Sequence, residues 1–219
     1  MWCIGRITAE YRRRMYRLLE IYGWPYNPQE PVVCVDEKSK QLLQETRSPI
    51  APQAGQCAKQ DYEYKRTGTR NIFVAVEPKG NRRFVEVTAR RTKSDFVAFI
   101  QNLVEKVYAT AQTVHLVLDN LNTHFRQTFV DVLGESAAAI LLQRVEFHHT
   151  PKHASWLNMA EIEIGIMERQ CTGRRLPSEE FLRDEVQQWE QQRNAERRGI
   201  KWKFTRQDAD RKLSRHYVP

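Results

Sequence analysis

Val114-His115-Leu116-Val117-Leu118-Asp119-Asn120-Leu121-Asn122-Thr123-His124 is an apolar run that breaks off at an aspartate. Valine and leucine crowd five positions, which predicts a buried strand with a carboxylate at its C-terminal edge. Ligands gather outside the carboxyl ends of strands in open α/β sheets, so Asp119 is a candidate for chemistry. The same residues also suit a plain turn, because Asp and Asn favour turns and Thr123 could cap a following helix. Two further features weigh toward chemistry. Val32-Val33-Cys34-Val35 reads as another buried strand, ending at Asp36-Glu37-Lys38, and Glu161 falls in the first turn of the helix after the last strand.

Working outward, residues 8–22 carry Tyr11, Met15, Leu18, Leu19 and Tyr22 at helical spacing. Gly23 and the series Pro25, Pro28 and Pro31 end that helix in a stiff linker. Residues 39–70 read as loop, marked by Pro49, Pro52 and Gly55, with an extra edge strand at 61–65. Strands at 71–77 and 83–88 are joined by Pro78-Lys79-Gly80-Asn81, a hairpin signal. Phe96, Phe99, Ile100, Leu103, Val104 and Val107 form one face of a helix. Helices are predicted at 123–133 and 135–143, a strand at 145–149, and helices at 158–171 and 177–198. Residues 201–204 are extended, and Thr205 with Asp208 starts a last helix. Antiparallel strands first and alternating units later predict an α/β fold, a mixed sheet with helices on both faces.

At 219 residues, with 41% hydrophobic and 28% charged residues, the chain is long enough to bury a sizeable core. No stretch is apolar enough to cross a membrane, and Met1-Trp2-Cys3-Ile4-Gly5-Arg6 lacks the apolar run of a signal peptide. Cys3, Cys34, Cys57 and Cys171 form no CxxC pair, so reduced thiols in a cytoplasmic protein are expected. The net charge of +8 comes with arginines clustered at 12–14, 82–83, 90–91, 174–175 and 197–198. Such a surface favours a polyanionic partner bound through its phosphates.

Three carboxylates from separate elements, converging on one sheet edge, would make an oxygen-rich site suited to Mg²⁺ or Mn²⁺. Two such ions about 4 Å apart can hold the attacking and leaving oxygens of a phosphoryl displacement. An acidic site in a basic protein suits a metal-dependent enzyme acting on a phosphodiester.

The residues Cys34-Val35-Asp36-Glu37-Lys38, then Leu118-Asp119-Asn120 with His124, then His149-Thr150-Pro151-Lys152-His153-Ala154-Ser155-Trp156-Leu157-Asn158-Met159-Ala160-Glu161 resemble the three catalytic blocks of DDE transposases. More narrowly, they are similar to bacterial insertion-sequence transposases related to the Tc/mariner superfamily. The resemblance runs from about Pro31 onward. It implies a ribonuclease-H-like five-stranded sheet with a C-terminal helical extension, and a two-metal site held by Asp36, Asp119 and Glu161. It also implies phosphodiester hydrolysis at transposon ends and strand transfer into target DNA, typically at a TA dinucleotide. Double-stranded DNA is then the partner, with at least a dimer while two ends are paired, in a bacterial cytoplasm. Residues 1–30 hold one helix and a linker, too little for the helix-turn-helix modules of the family. The expected division is therefore 1–30, a catalytic domain at 31–175 and a basic helical extension at 176–219. End recognition would fall to a separate helix-turn-helix subunit, or the chain would be an inactive DNA-binding remnant.

Glu163 and Glu168 compete with Glu161 on the same helix. A helical wheel sends Glu163 into the apolar face, where it needs a partner such as an arginine, and the motif selects Glu161. Lys38, Asn120, His124, Lys152, His153, Arg174 and Arg175 are candidate DNA contacts, with solvated surface or ordinary packing as the alternative. His148 and His149 face opposite ways along a strand, so a zinc site built on them with His153 is not expected.

Overall fold

The computed structural model describes residues 5–218, so the reading of the opening residues and of Cys3 lies outside them. Strands Val32–Glu45 (β1), Tyr64–Glu77 (β2), Arg82–Thr88 (β3), Val114–Leu118 (β4) and Val145–His149 (β5) form one sheet in the order β3-β2-β1-β4-β5. The first three are antiparallel neighbours, while β4 lies parallel to both β1 and β5. Every residue of β4 is buried, as a central strand covered on both faces must be.

Helices Lys93–Asn102 (α2), Arg126–Leu133 (α3) and Glu135–Leu142 (α4) cover one face. There Phe96, Phe99 and Phe129 pack on Val33, Val35, Leu116 and Leu118. Alternation along the strands turns Cys34, Val76 and Val117 to the other face, against Met15, Leu18 and Ile21 of Ala9–Gly23 (α1). Ala160–Met167 (α5) and Glu179–Ala195 (α6) complete that layer through Ile164, Met167, Val186 and Trp189. Arg206–Leu213 (α7) closes the chain. Its Thr205–Asp208 capping box, like Thr92–Asp95 at α2, satisfies the first backbone amides of the helix. Ile7 forms a parallel bridge with Tyr217, and its amide donates to His216 O at 2.8 Å, so the two ends of the described chain meet.

Glu163 of α5 is fully buried between two arginines. Arg83 of β3 reaches it through Nε at 2.9 Å and Nη2 at 3.2 Å, and Arg193 of α6 through Nε at 3.0 Å. The partner anticipated for this carboxylate is thus two guanidinium groups, which tie β3, α5 and α6 together.

The sequence reading differs from the structure in three places. β1 does not stop at Asp36 but runs on to Glu45, and β2 begins at Tyr64, so both ends of the expected loop, 39–45 and 64–70, form a two-stranded ribbon. Its residues are mostly polar and exposed, and their backbone groups are satisfied by each other, so no alternation of apolar residues announces it. Buried Leu42, with the Leu43 amide donating to Leu176 O at 2.8 Å, anchors it. The expected edge strand at 61–65 supplies only Tyr64 and Lys65 to β2. The helix after β4 starts at Arg126, leaving His124 in the preceding turn.

Candidate metal centre at the edge of β1 and β4

The last paired residues of β1 and β4 are Cys34 and Val117. Two residues on from that pair, Asp36 of β1 and Asp119 just past β4 lie at the same edge of the sheet. Both belong to the face that carries α5. Asp36 therefore lies inside a strand, and Asp119 just past the end of one.

Asn158 joins the third carboxylate to this pair. Its amide donates to Val35 O at 2.9 Å and to Asp36 Oδ2 at 3.3 Å. Its Oδ1 accepts the Ala160 amide at 3.1 Å, and its carbonyl accepts the Glu161 amide at 3.2 Å. The first turn of α5, with Glu161 on it, is thereby fastened to β1 beside Asp36. Burial pushes the Asp36 carboxyl up to about 7, with repulsion from Glu161, Glu37 and Asp119 adding to it against the pull of the Glu37 amide. Asp119 and Glu161 thus lie within repulsive range of Asp36 at one edge of the sheet.

Asp119 behaves differently. Burial would raise its carboxyl, but hydrogen bonds from His124 Nδ1 at 2.7 Å and the Leu121 amide at 3.0 Å outweigh that and hold it low. His124 is wholly buried against the Phe96 ring, and its Nε2 lies 3.5 Å from Glu37 Oε2. These two atoms are the buried side-chain polar atoms without a hydrogen bond among the described residues. Asp119, His124 and Glu37 form a chain through the sheet from one face to the other, with the imidazole oriented by one carboxylate toward the next.

Other candidates fare unevenly. Asn120 accepts from Arg14 at 2.7 Å and donates to Thr150 O at 2.7 Å, pinning the ends of β4 and β5 to α1. Lys38 pairs with Glu168 at 3.2 Å, Arg175 with Glu45 at 2.6 Å, and Arg174 with Glu185, so these three cations already have carboxylate partners. Lys152 and His153 are exposed, on the loop between β5 and α5. His149 Nε2 donates to the His124 carbonyl at 2.7 Å. Trp156 packs on Trp202 and Phe204. Sequence reasoning passed over Asn158 and Glu37 as site residues, although both lie inside quoted blocks. The signal was an acidic neighbour directly after Asp36 and an amide three residues before Glu161.

The carboxylates fit a hard divalent cation. Among the described residues no lysine or arginine pairs with Asp36, Asp119 or Glu161, and Asp36 is raised by its acidic neighbours. Oxygen donors with uncompensated charge are what Mg²⁺ or Mn²⁺ binds. A cavity of about 1070 Å³ lies elsewhere, between Trp24, Tyr26, Lys79 and Trp202. Asn158→Ala is expected to cut metal-dependent activity about 10- to 100-fold, the usual cost of losing a group that orients a ligand. Stability should fall by about 1–3 kcal/mol for the orphaned carbonyl. Rate assays beside thermal melts check both.

Residues 31–183 match the family model described as DDE superfamily endonuclease. The fold is that of the Mos1 mariner paired-end complex with Mn (TM-score 0.54, 16% identity, 90% of this chain and 61% of that one). It is equally that of the Mos1 strand transfer complex (TM-score 0.54, 16% identity, 86% and 58%). A Mos1 paired-end complex with Mg matches likewise (TM-score 0.54, 16% identity, 86% and 57%). The chain thus spans about three fifths of the Mos1 chains, 61% of the first. A comparison with curated proteins finds no match.

Proposed function

This chain belongs to the DDE superfamily endonucleases, and from that premise we propose that it is the catalytic part of a DNA transposase. The observation that supports the reading is that Asp119 and Glu161, from two other elements, lie near enough to repel the Asp36 carboxylate, with no lysine or arginine paired to any of the three among the described residues, in a protein of net charge +8. The three would hold Mg²⁺ or Mn²⁺, two ions in all. Bound there, the metal supplies charge stabilisation at the scissile phosphate and a water acidic enough to attack it.

The chain's own residues do the rest. Asn158 keeps Asp36 and α5 in register, and His124 keeps Asp119 ionised and aimed. Hydrolysis at each transposon end frees a 3′-hydroxyl, which attacks target DNA at a TA step without a covalent enzyme–DNA intermediate. Two copies pair the two ends, and a helix-turn-helix subunit supplies end recognition. The test is joining of DNA carrying the element's terminal repeats to a target plasmid with Mg²⁺. Joined product supports the reading, and cleavage without joining reduces it to a nuclease.

Two further outcomes follow. Metal affinity should rise with pH up to about 7, because Asp36 must shed its proton to ligate. Its folded value is raised from 3.8, so the metal-free protein should lose stability as pH climbs from about 4 to about 7, and Mg²⁺ should restore it. Calorimetric titration and melts across that window check the sign; affinity falling with pH would contradict it. DNA affinity should drop by about a hundredfold or more between roughly 50 and 200 mM salt, with little sequence preference, if phosphate contacts dominate. Filter binding on two unrelated duplexes measures this.

A further inference from the structure

The β4–β5 register sets His115 beside Glu146 and Val117 beside His148, on the sheet face covered by α1. The three polar side chains converge there, four residues down β4 from Asp119. His115 Nδ1 lies 3.1 Å from His148 Nε2 and 3.3 Å from Glu146 Oε2, and Glu146 Oε1 lies 3.5 Å from His148 Nε2. Four ligands held about 2.0–2.1 Å from zinc in a tetrahedron sit about 3.3 Å from one another. The two ring nitrogens lie close to that edge, each has a Glu146 oxygen at a like distance, and one ligand atom from each of the three residues lies within 4.8 Å of the others.

We propose that His115, Glu146 and His148 form a second metal site, separate from the carboxylate centre, for a late first-row divalent ion such as Zn²⁺ with water as the fourth ligand. The donors decide the class: two imidazoles with one carboxylate suit zinc, while three carboxylates suit magnesium. Burial lowers both imidazoles, His148 to about 4, so the rings are neutral and able to ligate near pH 7. Both rings are buried while Glu146 is half-exposed, which leaves an entry on its side. Arg17 is the cation now serving Glu146, at 3.2 Å, and it also pairs with Glu20 and lies over Trp24. An incoming ion would take over Glu146 and leave Arg17 to Glu20. The ion would tie β4 to β5 beneath α1, a stabilising role that does not depend on transposition.

The test is titration of the chelator-stripped full chain with Zn²⁺ in excess Mg²⁺, followed by calorimetry, with visible absorption of tetrahedral Co²⁺ as a second readout. One equivalent should bind and raise the melting temperature. Glu146→Gln, at a half-exposed position, should leave the metal-free melt in place and weaken binding at least about tenfold. Asp119→Asn should bind as the parent does. Absence of binding by the parent, unchanged affinity in Glu146→Gln, or loss of binding in Asp119→Asn would each overturn the proposal.

Discussion

Asp119→Asn is expected to reduce Mg²⁺-dependent nicking by at least about a thousandfold while leaving the protein folded. The asparagine keeps the shape of the side chain and an oxygen for His124 Nδ1, which now lies 2.7 Å from Asp119 Oδ1. It removes the charge that a hard divalent ion needs. Metal catalysis contributes several kcal/mol of transition-state stabilisation. About 4 kcal/mol is three decades of rate. The metal-free protein should stay folded, the lost repulsion on Asp36 being set against a weaker hydrogen bond from His124 to the neutral side chain. Nicking of repeat-bearing DNA beside a thermal melt settles both halves. Equal cleavage by the two proteins would remove Asp119 from the chemistry.

Glu163→Ala should be the most damaging single change to stability, at about 3–5 kcal/mol, because it strands buried charge. Arg83, with its side chain wholly buried, would lose its carboxylate, and Arg193 would keep only Glu196 at 3.5 Å. At roughly 2–4 °C per kcal/mol for a chain of this size, the melting temperature should fall by about 10 °C. Glu168, five residues along, pairs with Lys38 and Lys40 in a partly exposed setting. Its alanine variant should cost at most about 1 kcal/mol. If the two variants melt together, the buried triad does not hold the layers as its geometry indicates.

What could be read from the residues was what burial imprints on them. β4 is buried throughout and shows an unbroken apolar run; the β2–β3 turn has Pro78, Gly80 and Asn81; α7 announces itself through Thr205 and Asp208. The outer half of the β1–β2 ribbon leaves no such imprint. Its partners are polar backbone on the adjoining strand, so Asp36 was read as terminal when it is interior. In the site, the three acidic positions were found through the motif blocks. Partnerships across strands were not, because His115 meets Glu146 and His148, and Glu37 meets His124, only through sheet register and folding of a turn. A periodicity argument sees one strand at a time.

The meeting of Ile7 with Tyr217 means that the polypeptide is close to a closed ring. Joining residues 5 and 218 by a short linker and opening the chain within 46–63, where nearly every residue is exposed, would give a circular permutant that keeps every strand pairing. Proteins fused ahead of residue 5 and after residue 218 would emerge beside each other, so two different cargoes could be carried there as neighbours.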